Sequence, residues 1–283
     1  MQPRVKAVVY LVLAATFWST SGVLIKSIDW TPVGIASIRG LLAAVTIGIL
    51  VPGGFRPRLL TKGHIVAAVC LAILSMLFVT AMTMAPAANV TVLQYTAPLW
   101  VAVLAPLLLR ERTSGRDWFF MSLIFAGVVL FFFDGISMEG FWGNILAVIS
   151  GIFFGAQAVF LRGVSDKSPV QAIILGNFLA FVIGIPFFVG SFPDALSCVY
   201  LVILGVVQMG VAYFLYSLAV PNVTSMELVL IPMLEPIICP IWVVLAIGEI
   251  PGPLALTGAA VVILSVIVWS VMKARAAADI INS

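Results

Sequence analysis

The sequence predicts an all-α membrane protein of ten transmembrane helices, arranged as two inverted five-helix repeats with the N- and C-termini cytoplasmic. Three observations predict it. Apolar residues make up 63% of the chain and charged residues 9%, with a mean hydropathy of +1.24. A soluble domain carries about 25% charged residues, so too little charge remains here for a water-facing shell. Ten apolar segments approach the length that a ~30 Å hydrocarbon core requires: 7–25, 33–51, 65–84, 90–109, 118–134, 141–161, 169–190, 197–218, 225–247 and 254–272. Finally, the second half echoes the first. The register that sets Pro98 on Pro236 also sets Glu111 on Glu249, and close to it Phe17-Trp18 falls on Phe153-Phe154, Lys26 on Arg162 and Pro32-Val33 on Pro169-Val170. Such coincidences at nearly one offset indicate an internal duplication.

The first segment follows Arg4 and Lys6, as a signal peptide would. Its counterpart in the second half and the lack of a cleavage site make it a retained span. Trp18, Ser21 and Gly22 share one of its faces by their i, i+3, i+4 spacing. The second segment carries Arg39 about seven residues in, roughly 10 Å from its outer end at ~1.5 Å per residue. That arginine either snorkels to the interface or faces a cavity, where it meets a carboxylate or pairs with Glu235. Thr80 is on the third segment. Gln94 and Tyr95 precede a proline kink at Pro98 in the fourth. The fifth is an uninterrupted apolar run. The sixth holds the close-packing motif Gly151-x-x-x-Gly155 and the amide Gln157; the seventh opens at Pro169; the eighth contains Gln208. Buried amides need partners.

The ninth segment departs furthest from a simple anchor. It contains Glu227, Glu235, Pro232, Pro236 and Pro240. A carboxylate at the centre of a spanning helix costs roughly 2.5–3.5 kcal/mol. Each proline frees the carbonyl four residues before it, so those of Leu228, Pro232 and Pro236 lose their helical partners. Glu235 is near mid-span. Glu227 is in the first turn, where an acid also suits the helix dipole. These two are the candidate proton sites. The tenth segment closes the chain's second five-span set.

With the N-terminus on one side, every Lys and Arg except Lys26 and Arg39 falls on that side or beside it. Positive residues mark the cytoplasmic face. Each half, 7–135 and 141–272, has an odd number of spans, so the second half enters from the opposite face. Inverted repeats are a common plan of secondary transporters, with the substrate near the midplane between the repeats.

Several classes are excluded. The net charge of +3 is dispersed in short loops, which is not a nucleic-acid footprint. The one His, His64, rules out a His-based metal cluster, and no metal or cofactor is expected. The three Cys lie in apolar runs, which argues against a disulfide framework. No P-loop, H-E-x-x-H or G-x-S-x-G is present, so neither ATP hydrolysis by a P-loop nor a familiar hydrolase is expected, and no catalytic residue is assigned.

The repeat-final pattern carries a family resemblance. Pro98 through Glu111 is followed by Ser114-Gly115 and an apolar run to Phe133; Glu235-Pro236 through Gly248-Glu249 is followed by Gly258 and a run to Trp269. Over nearly its whole length the chain resembles the drug/metabolite transporter superfamily, in its ten-span branch of two EamA repeats, and is most similar there to bacterial YddG-like amino-acid and metabolite exporters. The first copy departs from the pattern at Arg110, where Gly is usual, and has Ala97 where the second has Glu235.

The resemblance implies a multi-pass carrier of the bacterial inner membrane that exports small metabolites, foremost neutral or aromatic amino acids, with or without proton coupling. Its partners are then a small-molecule substrate and the lipid bilayer. The expected cavity draws on Trp18, Ser21, Arg39, Thr80, Gln94, Tyr95, Pro98, Gln157, Gln208, Glu235 and Pro236. Efflux of cationic aromatic compounds or nucleoside-like metabolites is the competing reading, and a non-transporting scaffold or channel subunit is the competitor from another class.

Overall fold

The computed structural model describes residues 2–111, 114–134, 140–188, 190, 192–236 and scattered positions between 238 and 272. Every regular element among the described residues is helical. Helix α1 (Pro3–Trp18) and helix α2 (Ser21–Lys26) form the first apolar stretch, interrupted at Ser19-Thr20. Helix α3 (Pro32–Leu50) is opened by Thr31, whose hydroxyl accepts from the Gly34 amide at 3.2 Å. Pro32 occupies the first turn, where a missing N–H costs no helical bond. Helix α4 (Lys62–Met84) is followed by α5 (Ala87–Gln94) and α6 (Ala97–Leu109), with a break at Tyr95-Thr96. Then come α7 (Gly115–Asp134), α8 (Phe141–Gly163) and α9 (Val170–Phe188). Helix α10 (Ala195–Val202) runs through a π-helical segment, Ile203–Val211, into α11 (Ala212–Ala219). Helix α12 (Ser225–Leu230) tightens into a 3₁₀ segment, Ile231–Leu234.

Seven of these stretches are long and apolar enough to cross a bilayer: Pro3–Lys26, Pro32–Leu50, Lys62–Met84, Asn89–Leu109, Phe141–Gly163, Val170–Phe187 and Ala195–Asn222. They coincide with the first four and the sixth to eighth expected spans. Helix α7 falls on the fifth, and the shorter apolar stretch Ser225–Leu234 begins the ninth. The tenth span is described at scattered positions, and Cys239, Pro240, Gly248 and Glu249 lie outside the described residues. Large apolar side chains such as Ile49, Leu107, Phe187 and Leu245 stand exposed around the bundle. An apolar outer surface of this extent suits lipid and not water. The protein is a multi-pass, all-helical membrane protein.

The two halves interleave. Helix α4 packs along α8 and α9, α3 along α9 and the π-helical segment, and α1 along α11. Small residues permit the approach. A Cβ at Gly151 would stand 2.5 Å from the Gln94 carbonyl oxygen, and one at Gly155 would stand 2.7 Å from that of Ala97. The Gly151-x-x-x-Gly155 face therefore lies directly against the break between α5 and α6.

The halves are also tied at the helix ends nearest the N-terminus. Arg4 pairs with Glu227, the Arg162 Nε donates to Glu111 at 3.4 Å, and the Ser225 amide donates to the same carboxylate at 3.2 Å. The His64 Nε2 meets the Lys167 carbonyl at 2.9 Å, and the Arg56 amide donates to the Gln171 side chain at 2.6 Å.

Candidate functional site

The interruptions converge. Trp18 ends α1, Gln94 ends α5, Gln208 and Met209 belong to the π-helical segment, and Glu235 follows the 3₁₀ segment. Together with Arg39 of α3, Leu74, Ser75 and Phe78 of α4, Phe154 of α8 and Tyr213 of α11, they line a cavity of about 40 Å³. A water needs roughly 10–15 Å³ of such space, so the cavity has room for a few waters. A metabolite requires the walls to move, and broken or π-helical backbone provides places where they move without losing a full helical ladder.

Arg39 does not reach the bundle's edge; it is 2% exposed and lines the cavity. Its Nη2 donates to the Ser75 hydroxyl at 3.0 Å, and the guanidinium carbon lies 5.9 Å from the centre of the Phe78 ring. Cations are attracted to aromatic faces at such range. The Nε is buried with no partner. A guanidinium offers five N–H donors, and this one is far from satisfied. Among the described residues no acid pairs with it.

Glu235 faces the same cavity but is held by a different group. The Tyr95 hydroxyl is 3.0 Å from the Glu235 Oε2 and 2.6 Å from the Pro232 carbonyl oxygen. That carbonyl is available because Pro236 has no N–H to offer it. The proline spacing of the ninth segment thus has a concrete result: a carbonyl with only the 3₁₀ bond from the Glu235 amide in its own helix, whose remaining acceptor capacity the other half of the chain engages.

Aromatic rings build the remaining wall. Trp18 meets Tyr213 at 4.9 Å, Tyr216 at 5.3 Å and Phe154 at 6.4 Å between ring centroids, and Tyr95 meets Phe154 edge to face at 5.9 Å. The Gln208 Nε2 donates to the Trp18 carbonyl at 3.3 Å, bracing the α1–α2 break, while its Oε1 has no partner. At that same break the Trp242 Nε1 donates to the Ser19 hydroxyl at 3.1 Å.

Of the residues expected from sequence, Trp18, Arg39, Gln94, Gln208 and Glu235 line the cavity, and Tyr95 and Pro236 shape it through Glu235 and Pro232. Pro98 opens α6 just past the break. Ser21 and Gln157 are buried behind the wall, Ser21 facing Glu235 and Gln157 facing Tyr213. Thr80 spends its hydroxyl on the Met76 carbonyl of its own helix. Glu227 stands at the start of α12, where it caps the helix through the Thr224 amide at 2.8 Å and pairs with Arg4; it is away from the cavity. Sequence reasoning did not single out Ser75, Phe78, Met209 or Tyr213. Only Tyr213, with Tyr216 three residues on, left a signal: phenolic oxygens inside an apolar run.

A polytopic helical bundle with a small polar and aromatic cavity at its interrupted helices has the build of a membrane carrier. The EamA-like transporter family matches the chain twice, over residues 5–133 and 141–271, and the chain belongs to that family. It is similar to the uncharacterized transporter YwfM of Bacillus subtilis, 23% identical over 92% of both chains. It is also similar to an uncharacterized protein of Pseudomonas aeruginosa, 24% identical over 78% of both chains. An uncharacterized transporter of Helicobacter pylori is 29% identical over 38% of this chain and 35% of its own length. A crystal structure matches with a TM-score of 0.75 at 19% identity, covering 96% of this chain and 99% of that one, which shows the fold alone.

Proposed function

We propose that this transporter exports small carboxylate-bearing metabolites, neutral or aromatic amino acids foremost, across the bacterial inner membrane. Ten spans form two inverted repeats, 7–135 and 141–272, with both termini in the cytoplasm. Alternate tilting of the halves exposes the central cavity to one side and then the other.

The observation that carries the substrate reading is Arg39, a buried guanidinium with an unpartnered Nε beside aromatic walls. A carboxylate satisfies it, and Trp18, Phe154 and Tyr213 offer contact area to an apolar side chain. The repeat reading has support in the ring contact between Trp18 and Phe154. These positions correspond in the two halves, and corresponding positions meet where a two-fold axis passes. The positive residues on the side of the N-terminus support the orientation.

The test is counterflow of labelled neutral and aromatic amino acids in proteoliposomes, for the wild type and Arg39→Gln. The wild type is expected to exchange them. The variant is expected to raise KM about ten- to a hundredfold, since a hydrogen bond to a charged group contributes about 1.5–3 kcal/mol. Flux of cationic aromatic compounds or nucleosides, with none of any amino acid, overturns the substrate assignment.

A further inference from the structure

Tyr95 has one hydroxyl proton and two acceptors in front of it. Its oxygen is 2.6 Å from the Pro232 carbonyl and 3.0 Å from the Glu235 Oε2. A carbonyl only accepts, an ionised carboxylate only accepts, and a neutral carboxyl also donates. Both short contacts are therefore full hydrogen bonds when Glu235 carries a proton: Glu235 donates to Tyr95, and Tyr95 donates to Pro232. With Glu235 ionised, the tyrosine proton goes to the stronger, charge-assisted bond. The Pro232 carbonyl, which Pro236 deprives of its α-helical donor, then keeps only the Glu235 amide of its own 3₁₀ turn and loses the one donor from the other half.

We infer that Tyr95 is a positioning residue that couples the proton on Glu235 to the conformation of the broken ninth span. The assignment rests on the carrier function proposed above. Its geometry crosses the molecule at a useful place. Tyr95 stands at the break between α5 and α6 in the first half, and Pro232 lies in the 3₁₀ segment of the second. A change in Tyr95's bonding partner thus releases or holds one interrupted helix against another. The proton arrives at the Glu235 Oε2 from cavity water and leaves to it, so no other group has to change its protonation.

The titratable and charged groups facing Glu235 are Tyr95 from the α5–α6 break, Arg39 from α3 and Tyr213 from α11; Tyr216, also of α11, faces Tyr95. Only Tyr95 bonds Glu235 and the backbone at once.

The experiment compares wild type, Tyr95→Phe, Glu235→Gln and Pro236→Ala in proteoliposomes. Each is assayed for counterflow at equal pH and for accumulation driven by a pH gradient. Phenylalanine keeps the ring against Phe154 and removes only the hydroxyl. Pro236→Ala leaves Tyr95 and Glu235 in place and returns an N–H to the Pro232 carbonyl, which competes with the tyrosine. Tyr95→Phe is expected to lose gradient-driven accumulation at least tenfold more than it loses counterflow, and to flatten the pH profile as Glu235→Gln does. Pro236→Ala is expected to lose accumulation in the same direction, which keeps the test decisive if Tyr95→Phe does not fold. Full gradient-driven accumulation in Tyr95→Phe, or in Pro236→Ala where Tyr95→Phe yields no protein, overturns the coupling role. So does a wild type whose counterflow is intact but indifferent to the gradient, and in that case the carrier function stands. A wild type without any counterflow overturns the carrier function and the coupling with it.

Discussion

At the scale of the residue, the site is a buried cation held by very little. Removing a charge from water costs several kcal/mol unless hydrogen bonds or a counter-charge replace the solvent. Arg39 has the Ser75 hydroxyl and the Phe78 ring. Ser75→Ala deletes the hydroxyl that accepts from the Arg39 Nη2 at 3.0 Å. The expected outcome is a loss of about 1–3 kcal/mol of stability, read as a lower Tm of the detergent-purified protein, with partial rescue by a carboxylate substrate that re-partners the guanidinium. A Tm unchanged by the substitution would show that water already satisfies Arg39. The sequence made Arg39 and Glu235 legible because ionisable residues inside apolar runs are rare and costly. It did not make Ser75 legible. Hydroxyl residues in spanning helices often bond their own backbone, and Thr80, singled out in advance, does so with Met76, while Ser75 on the same helix carries the contact that matters.

At the scale of the element, function lies in the interruptions. Those of the fourth and ninth spans were announced by prolines, and Pro236 explains directly why the Pro232 carbonyl lacks an α-helical donor and can accept from Tyr95. The break after Trp18 and the π-helical segment Ile203–Val211 contain no proline and had no signal in the sequence. Both arise from tertiary contacts: Gln208 reaches the Trp18 carbonyl, and the π-helical segment lies so close to α3 that a Cβ at Gly205 would stand 3.1 Å from the Arg39 carbonyl oxygen. The close packing of α8 was legible, since Gly151-x-x-x-Gly155 is a recognisable pattern. That this face packs against the α5–α6 break was not. Gly151→Val puts side-chain atoms where the Gln94 backbone already stands, and backbone yields less readily than a side chain. We expect a destabilisation of at least about 1–3 kcal/mol, with transport falling further than stability because Gln94 and Tyr95 shift together. Thermal denaturation alongside counterflow checks this; equal losses in both would place the glycine in packing alone.

At the scale of the whole molecule, the described cross-half ion pairs lie at the end that carries the N-terminus. Arg4–Glu227, Arg162–Glu111 and the Ser225–Glu111 bond all join the first half to the second there. Opening the cavity toward that end has to break them. Each partly exposed pair contributes about 0.2–1 kcal/mol, so removing one shifts a two-state balance by roughly 1.4- to fivefold. Glu111→Gln weakens two contacts at once, the Arg162 pair and the Ser225 bond, and is expected to lie at the upper end of that range. A single cysteine at position 94, in a background with Cys70, Cys198 and Cys239 replaced, reports on access to the cavity through a membrane-impermeant maleimide. In inside-out vesicles Glu111→Gln is expected to raise the labelling rate several-fold, and in right-side-out vesicles to lower it. Labelling that rises from the opposite side instead would invert the assigned orientation. Labelling unchanged from both sides would mean that the ends are held by apolar packing, with the ion pairs contributing only to fold stability.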